Sequence, residues 1–221
     1  MPNYSGLKAK KAELIRKSLQ MSLFITEDGT SASIIPALTD TTSQALLPLP
    51  TGGGYMDVGW FTDEGLRYAR AIEQDEVTSA GSNTPTRTDI TSDVETLQID
   101  MQETSKLTIA LSTGAAKSGL TLTTGSKELK LDKPTTQSPR RYRGLALAVD
   151  GPPEAEIYLG RFYPRLAVTD YGDQADAKGQ EKRYPLTFRG EVDDTIGTAL
   201  RFFWGGPGWV ALLASMGFPT S

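Results

Sequence analysis

Side chains that could perform nucleophilic or acid–base chemistry are scarce in this chain of 221 residues, which contains neither histidine nor cysteine. Serine–histidine–aspartate and cysteine–histidine systems cannot be built from it, and neither can the usual zinc sites, disulfides or iron–sulfur clusters. An enzyme with this sequence would have to use paired carboxylates, or a serine activated by a lysine.

Three pairs of adjacent acidic residues are candidates for carboxylate chemistry: Glu27 with Asp28, Asp75 with Glu76, and Asp193 with Asp194. A glycosidase holds two carboxyl groups about 5 to 10 Å apart across a cleft. Such clefts are normally lined by aromatic side chains, but only 8% of the residues here are aromatic. The acidic pairs lie near Gly or Thr in turn-like sequence, which favours solvated turns.

Two further motifs are weak. Ser5 and Lys8 form an S-x-x-K string, but they lie in a segment that is not expected to hold a nucleophile and a base in register. Neither "TEDGT" nor "EVDD" has the twelve-residue pattern of a calcium loop. We therefore expect a protein that is not an enzyme, with no catalytic residues, no metal site and no cofactor.

Cationic side chains are concentrated near the start of the chain. Five cations and Glu13 give the first 20 residues a net charge of +4, so the net charge of −4 for the whole chain leaves −8 for the rest. The cations are Lys8, Lys10, Lys11, Arg16 and Lys17. An acidic body argues against tight binding to phosphate backbones. The first 20 residues are here called the basic segment. The alternatives for its role are an exposed arm, docking on an acidic neighbour, or contact with lipid or nucleic acid.

A second basic cluster lies in the sequence "PRRYRG", which contains Arg140, Arg141 and Arg143. In a nucleic-acid-binding protein this cluster would be read as a phosphate contact. Within an acidic body, the favoured interpretation is pairing with carboxylates of the same or an adjacent subunit.

Alternation of apolar and polar residues predicts strands at residues 94–102 and 183–193, each with one wholly polar side. Further strands are expected at residues 141–149, 155–163, 165–170 and 198–204. A helix after residue 104, capped by Thr104 and ended by Gly114, is preferred over a strand for the same residues. Many strands and one helix predict a mainly β sandwich or barrel.

The predicted organisation has two parts. Residues 1–54 form an N-terminal arm and connector, with a basic helix over residues 7–19 followed by loop-rich sequence. Residues 55–221 form the β-sandwich domain, with a polar loop at residues 171–182 and a C-terminal segment at residues 205–221. No apolar run is long enough to span a bilayer, and the start does not read as a signal peptide. We expect a soluble chain, made in the cytoplasm, that does not bind membranes.

The stretch "YMDVGWFTDEGLRYARAIEQDEVTSAGSNTPTRTDITSDVETLQIDMQETSKLTIAL" resembles the major tail tube proteins of long-tailed (siphovirus-type) bacteriophages. The residues that match are Gly59-Trp60-Phe61-Thr62, Gly65-Leu66, Pro85, Arg87, Leu97-Gln98-Ile99, Gln102-Glu103-Thr104 and Leu107. In the second half, "GLALAVDG", "IYLGRFYPRLAV", "YPLTFRGEVD" and "GGPGW" follow in the family's order, so that the resemblance covers residues 55–209.

The resemblance implies a β-sandwich of the phage tail tube type with one flanking helix and an extended N-terminal arm. It implies a virion protein, assembled in the host bacterium, whose homohexameric rings stack into a hollow tube for genome ejection. A tape measure protein would lie in the lumen, and tail terminator and distal tail proteins would contact the tube ends. DNA would pass through without specific binding.

Two hypotheses follow for individual residues. The polar strand faces predict that the tube lumen is lined by Thr96, Gln98, Asp100, Gln102, Thr187, Arg189 and Glu191. Changing Asp100 and Glu191 to Lys would then slow genome passage. Contacts between rings or subunits are predicted for Lys8, Lys10, Lys11, Arg16, Lys17, Arg140, Arg141 and Arg143. The alternatives to a tube protein are a carbohydrate-binding β-sandwich and another phage structural protein, such as a tail terminator.

Overall fold

The computed structural model describes residues 8–27, 31–133 and 139–219. Eight strands form one antiparallel sheet, and two α-helices accompany it. The strands are β1 (Gln20–Glu27), β2 (Met56–Asp57), β3 (Arg67–Val77), β4 (Arg87–Met101), β5 (Arg141–Asp150), β6 (Ile157–Tyr171), β7 (Tyr184–Glu191) and β8 (Arg201–Gly205). The helices are α1 (Lys106–Thr113) and α2 (Pro207–Met216). The predicted mainly β fold is confirmed.

The sheet has the strand order β2-β1-β5-β6-β7-β4-β3, and β8 pairs with β6. Strand β6 is long enough to have two neighbours on one side, because residues 158–162 pair with β8 and residues 165–171 pair with β7. Strand β5 lies along its other side. Strand β3 is therefore at one end of the sheet, next to β4 alone among the described strands.

The main core lies on the inner face of the sheet. Leu23 and Ile25 of β1 belong to the same buried cluster as Leu97 of β4 and Phe188 of β7. Helix α1 adds Leu107 and Leu111 to this cluster. Strands that are distant in the sheet order thus share one apolar core, so the sheet curls around it and the inward positions alternate with outward ones.

The outer face is covered over only part of the sheet. Ile35 and Leu38, from the connector between β1 and β2, pack on Leu145 of β5 and Phe162 of β6 in a second buried cluster. No such cover lies over the outer side of β4 and β7, whose outward side chains are polar and half-buried or exposed. The fold therefore leaves one polar strip of sheet open, within the described residues.

Predicted strands agree with the structure, except that the two strands expected at residues 155–163 and 165–170 are the single strand β6 (Ile157–Tyr171). Helix α1 begins after Ser105, whose hydroxyl accepts a hydrogen bond from the backbone N–H of Thr108 at 3.1 Å, so the predicted cap at Thr104 is wrong by one residue. The helix ends at Gly114, as predicted. Helix α2 was not predicted, and it begins with Pro207, a favourable first residue for a helix.

The predicted basic helix over residues 7–19 is wrong for residues 8–19, which form only a 3-10 turn at Ala12–Leu14; Leu7 lies outside the described residues. Ile15 and Leu19 are 70% and 63% exposed, so no apolar face is buried. A short helix needs such packing, because its hydrogen bonds alone are marginal in water. Strand β1 also shows that residues 20–27, which were assigned to the arm and connector, pair with β5 in the sheet.

Candidate assembly surfaces

Strands β3 and β4 form a ribbon that extends beyond the core. Only residues 96–101 of β4 pair with β7, so β3 is the sole described partner of residues 87–95. This outer part, residues 70–77 and 87–95, is called the distal ribbon. It exposes Ile72 (44%) and Ile90 (64%) on the side that continues the core face. A two-stranded ribbon is marginally stable in water, and exposed isoleucines give it an apolar surface to cover.

Charged side chains on the distal ribbon form a stabilising ion pair near the core and a repulsive pair near the tip. Arg70 forms a bidentate pair across the strands with Asp93, with N···O distances of 2.8 and 2.6 Å. The hydrogen bond from Arg70 lowers the pKa of Asp93. Nearer the tip, Asp75 lies directly opposite Asp89, and like charges in that position are destabilising. Arg87 relieves this in part by donating to Asp89 at 2.6 Å.

The predicted lumen residues of β4 and β7 lie together on one face, here called the polar face. Thr96 is opposite Arg189, and Gln98 is opposite Thr187, while the side chains between them point into the core. The remaining members, Asp100 and Glu191, lie on the same face by alternation. Gln102 lies just beyond the end of β4, where its side chain donates to Glu181 in the loop before β7.

Carboxylates on the polar face are paired with arginines of the same chain. Asp100 accepts from Arg67 at 3.1 Å. Glu191 accepts from Arg141 at 2.5 Å and from Arg189 at 3.2 Å. The two polar strand faces and the acidic body of the chain led to the choice of these residues, but the carboxylates Asp100 and Glu191 are neutralised by arginines on this face. The lumen position of this face stays a prediction.

The segment Gly59-Trp60 is held by the segment that follows β4. The Glu103 carboxylate accepts from the backbone N–H of Trp60 at 2.8 Å, and the backbone N–H of Gln102 donates to the Trp60 carbonyl at 2.9 Å. Gly59 has φ +81°, and a Cβ there would collide with the Glu103 carboxylate. The indole of Trp60 is 77% exposed on this fixed backbone. These contacts give a structural reason for the Gly-Trp and Gln-Glu-Thr elements of the resemblance.

Gly59→Ala is expected to lower the free energy of unfolding by about 1–3 kcal/mol more than Gly81→Ala does. Both glycines have positive φ, so both variants incur the left-handed penalty of about 1–2 kcal/mol. Only Gly59→Ala also displaces Glu103, and a hydrogen bond to a charged group contributes about 1.5–3 kcal/mol. Urea denaturation of the two variants measures the difference. Equal losses would show that the Glu103 contact contributes nothing.

The three arginines of the second basic cluster have different environments. Arg143 is 3% exposed and forms an ion pair with Asp193 at 2.9 Å. A contact between subunits is therefore wrong for Arg143, because its guanidinium is buried inside its own chain. Arg141 is paired with Glu191, while Arg140 is exposed and donates to the carbonyl of Gly114 at 3.0 Å. For these two, a contact with another subunit stays a prediction.

The basic segment is anchored at its end by Asp150 of β5. The Asp150 carboxylate accepts from the backbone N–H of Lys17 at 3.2 Å and pairs with Arg16 at 3.4 Å. Lys11 donates to the carbonyl of Ser215 in helix α2. The side chains of Lys8, Lys10, Lys11 and Lys17 remain exposed, so the segment presents a row of cations.

The candidate carboxylate pairs do not form a cleft. Asp193 is buried against Arg143 while Asp194 is exposed, and Asp75 and Glu76 are both exposed on the distal ribbon. Asp28 and Ser5 lie outside the described residues. Within the described ranges, no three acidic side chains come close enough together to hold a metal ion. No described helix is both long and apolar enough to cross a membrane.

An aromatic cluster on β8 was not anticipated from the sequence. The rings of Phe202 and Trp204 stack with centroids 5.4 Å apart, and both are about half exposed. The guanidinium of Arg161 lies 3.8 Å from the ring centroid of Tyr68 and 5.2 Å from that of Phe202. Their spacing of two residues along β8 places both aromatic rings on one side of the strand, which is the signal that could have revealed them.

Comparisons with known proteins give structural similarities only. No protein-family model matches the chain, and no curated protein matches it. A subunit in the cryo-EM structure of the anti-feeding prophage baseplate, 6-fold symmetrised, is 10% identical, with a TM-score of 0.46, over 85% of this chain and 93% of that one.

Two further similar chains come from gene transfer agent particles. One, from the virion of a native particle, is 12% identical, with a TM-score of 0.36, over 67% of this chain and 88% of that one. The other, from the C6-symmetric tail of an empty particle, is 11% identical, with a TM-score of 0.36, over 75% of this chain and 99% of that one.

Proposed function

We propose that this chain is a structural subunit of a phage tail. It self-assembles into stacked, hexameric rings that form the tail tube, the hollow conduit through which the genome leaves the virion. The observation that carries this proposal is the distal ribbon, which exposes both of its faces and has two unpaired edges within the described structure, one along β3 and one along residues 87–95 of β4. Such a ribbon gains its missing partner when a neighbouring copy covers it.

Ring formation follows from the kind of contact that the ribbon can make. The exposed edge and isoleucines of β3 and β4 lie at one end of the sheet, whereas β2 and β8 lie elsewhere in it. A contact between two different surfaces of identical chains is heterologous, and it makes rings when the rotation closes. Stacked rings then make a tube without any reactive group, so no catalytic activity is proposed.

The partners follow from the same proposal. The tube contacts itself within and between rings, a tape measure protein occupies its lumen, and a tail terminator and distal tail proteins bind its ends. DNA passes along the polar face without specific binding. On this face the paired arginines and carboxylates leave few free cations to hold phosphates.

The proposed function is tested by the association state of the purified protein. Light scattering after size-exclusion chromatography, at protein concentrations from about 1 to 100 µM, is expected to show a molar mass that increases by the mass of one ring at a time. Negative-stain microscopy of the concentrated protein should show rings or tubes with a central channel. A protein that remains monomeric throughout contradicts the proposal, and single rings that never stack would favour a tail terminator.

The polar face can be tested with Thr96→Lys and Thr187→Lys together, since neither threonine is charged and the Thr96 hydroxyl donates to the Ala69 carbonyl, so the change adds charge without breaking an ion pair. In phage carrying this variant, tails should assemble normally, but infectivity per particle should fall at least about tenfold, because rings of added cations bind the passing phosphates. The control has Gln at both positions, with no added charge. Unchanged infectivity of the Lys variant would show that the polar face does not line the lumen.

A carbohydrate-binding module remains the second candidate, because Phe202 and Trp204 present exposed, stacked rings next to Arg161. Aromatic faces of this kind are common in sugar recognition, but a stacking pair also suits a protein interface. Screening the monomer against a glycan array distinguishes the two, with Trp204→Ala as the control. Glycan binding that depends on Trp204, without self-association, would favour the binding module.

A further inference from the structure

A groove of about 770 Å³ lies between the start of β1 and the fixed segment around Trp60. Its apolar lining includes Leu19, Met21 and the exposed indole of Trp60. Beside these lie the carboxylates of Asp57, Asp63 and Glu103, and no Lys or Arg is among the described lining residues. The groove is therefore an apolar channel with an acidic rim.

One wall of the groove is an open strand edge. Strand β1 pairs along its whole length with β5, but β2 covers its other edge only at Phe24 and Ile25, and Val58 donates to the Leu23 carbonyl. Residues 20–22 have no strand on that side within the described structure. An exposed edge accepts an extended segment, whose backbone supplies the missing hydrogen bonds.

The basic segment has the properties that this groove needs. Its backbone is largely extended, with φ −124° and ψ 105° at Lys11, and Lys8, Lys10 and Lys11 are exposed. In its own chain it is held elsewhere, because Lys11 donates to Ser215 and Lys17 to Asp150, and neither acceptor lines the groove. The complementary segment must therefore come from another copy.

We propose that residues 8–11 of one copy dock in the groove of the next copy, adding an extended segment beside β1. Lys10 then lies close to Asp63, and a second cation lies over the face of Trp60, where cation–π attraction is strongest for an indole. This inference rests on the proposed function, since it names a further contact between copies in addition to the distal ribbon. Docking of the basic segment on an acidic neighbour was one of the alternatives that the sequence left open, and one groove and one strand edge are now specified for that contact.

A disulfide cross-link tests the contact directly, because the chain contains no cysteine. In the double variant Lys10→Cys with Asp63→Cys, mild oxidation of the assembled protein should give a ladder of dimers, trimers and higher species on a non-reducing gel. The ladder arises because every copy carries one arm and one groove. Each single variant can give at most dimers. The matched control, Lys10→Cys with Asp75→Cys, moves the second thiol to the distal ribbon and should give no ladder.

Charge reversal provides a second measurement. Lys10→Glu should raise the concentration needed for assembly about tenfold, and adding Asp63→Lys should restore most of it, as expected for a direct charge pair. Assembled wild-type protein whose Cys variants give no ladder, or an intrachain disulfide, or a ladder with Asp75 instead, overturns this contact and leaves the proposed function standing. A wild-type chain that never assembles overturns both.

Discussion

The variant Ile72→Thr with Ile90→Thr should raise the protein concentration needed for ring or tube formation at least about 30-fold. Both isoleucines lie on the distal ribbon with large exposed fractions, so in the proposed assembly they are apolar groups for a neighbouring copy to cover. Burying an isoleucine contributes about 1.5–3 kcal/mol, and threonine keeps the β-branched shape while losing much of that gain. Light scattering across a concentration series measures the shift.

The control for this variant is Ile72→Val with Ile90→Val, which keeps both positions apolar and should assemble within a few-fold of the wild type. The free energy of unfolding of the Thr variant should change by less than about 1 kcal/mol, because exposed positions contribute little to the stability of the monomer. Unimpaired assembly of the Thr variant would mean that the distal ribbon is not an interface.

Arg143→Met should lower the free energy of unfolding by about 3–5 kcal/mol, because it removes the closer of the two arginines that face the buried Asp193 carboxylate, while the guanidinium of Arg165 lies 4.0 Å away. Besides the ion pair with Asp193, the Arg143 guanidinium donates to the Pro164 carbonyl at 2.9 Å and to the Ser33 hydroxyl at 2.5 Å. Urea denaturation followed by circular dichroism measures the change. The matched control is Arg141→Met, whose partly exposed ion pair should contribute no more than about 1 kcal/mol.

A companion variant separates charge from packing. Arg143→Met with Asp193→Asn also removes the buried negative charge and should be more stable than Arg143→Met alone, while equal stability would argue against an electrostatic origin. Burial alone would raise the pKa of Asp193, but backbone N–H groups of Thr195 and Ile196, together with Arg143, lower it below its ordinary value of 3.8. Since the folded-state pKa is the lower one, this stabilisation is present above about pH 4 and is lost as the pH falls through the folded-state pKa.

The sequence predicts strands best where one side is buried. At residues 94–101 and 184–191 apolar and polar residues alternate, because a half-buried strand exposes every second side chain. That same alternation identified Thr96, Gln98 and Thr187 as members of one face before the register was known. The sequence did not predict which distant strands pair, because no local pattern indicates which strand lies next to β6.

The remaining predictions failed because they depend on contacts between residues distant in sequence, which no local pattern reveals. Residues 7–19 read as an amphipathic helix, but residues 8–19 form only a 3-10 turn at Ala12–Leu14, and Asp150 holds Lys17 just before β1 begins. Arg143 was expected to pair with a carboxylate of the same or an adjacent subunit, but no local pattern could identify Asp193, which is 50 residues away in sequence. The groove beside β1 combines residues 19–22, 57–63 and 103, which become neighbours only through the fold.

The facing carboxylates of Asp75 and Asp89 affect how growth would start. Two unassembled chains that met ribbon to ribbon would bring four such groups together, and this repulsion discourages off-pathway fibres of the kind that bare strand edges form. In the proposed assembly, contact between the ribbon and a different surface of the next copy is thereby favoured over contact between two ribbons.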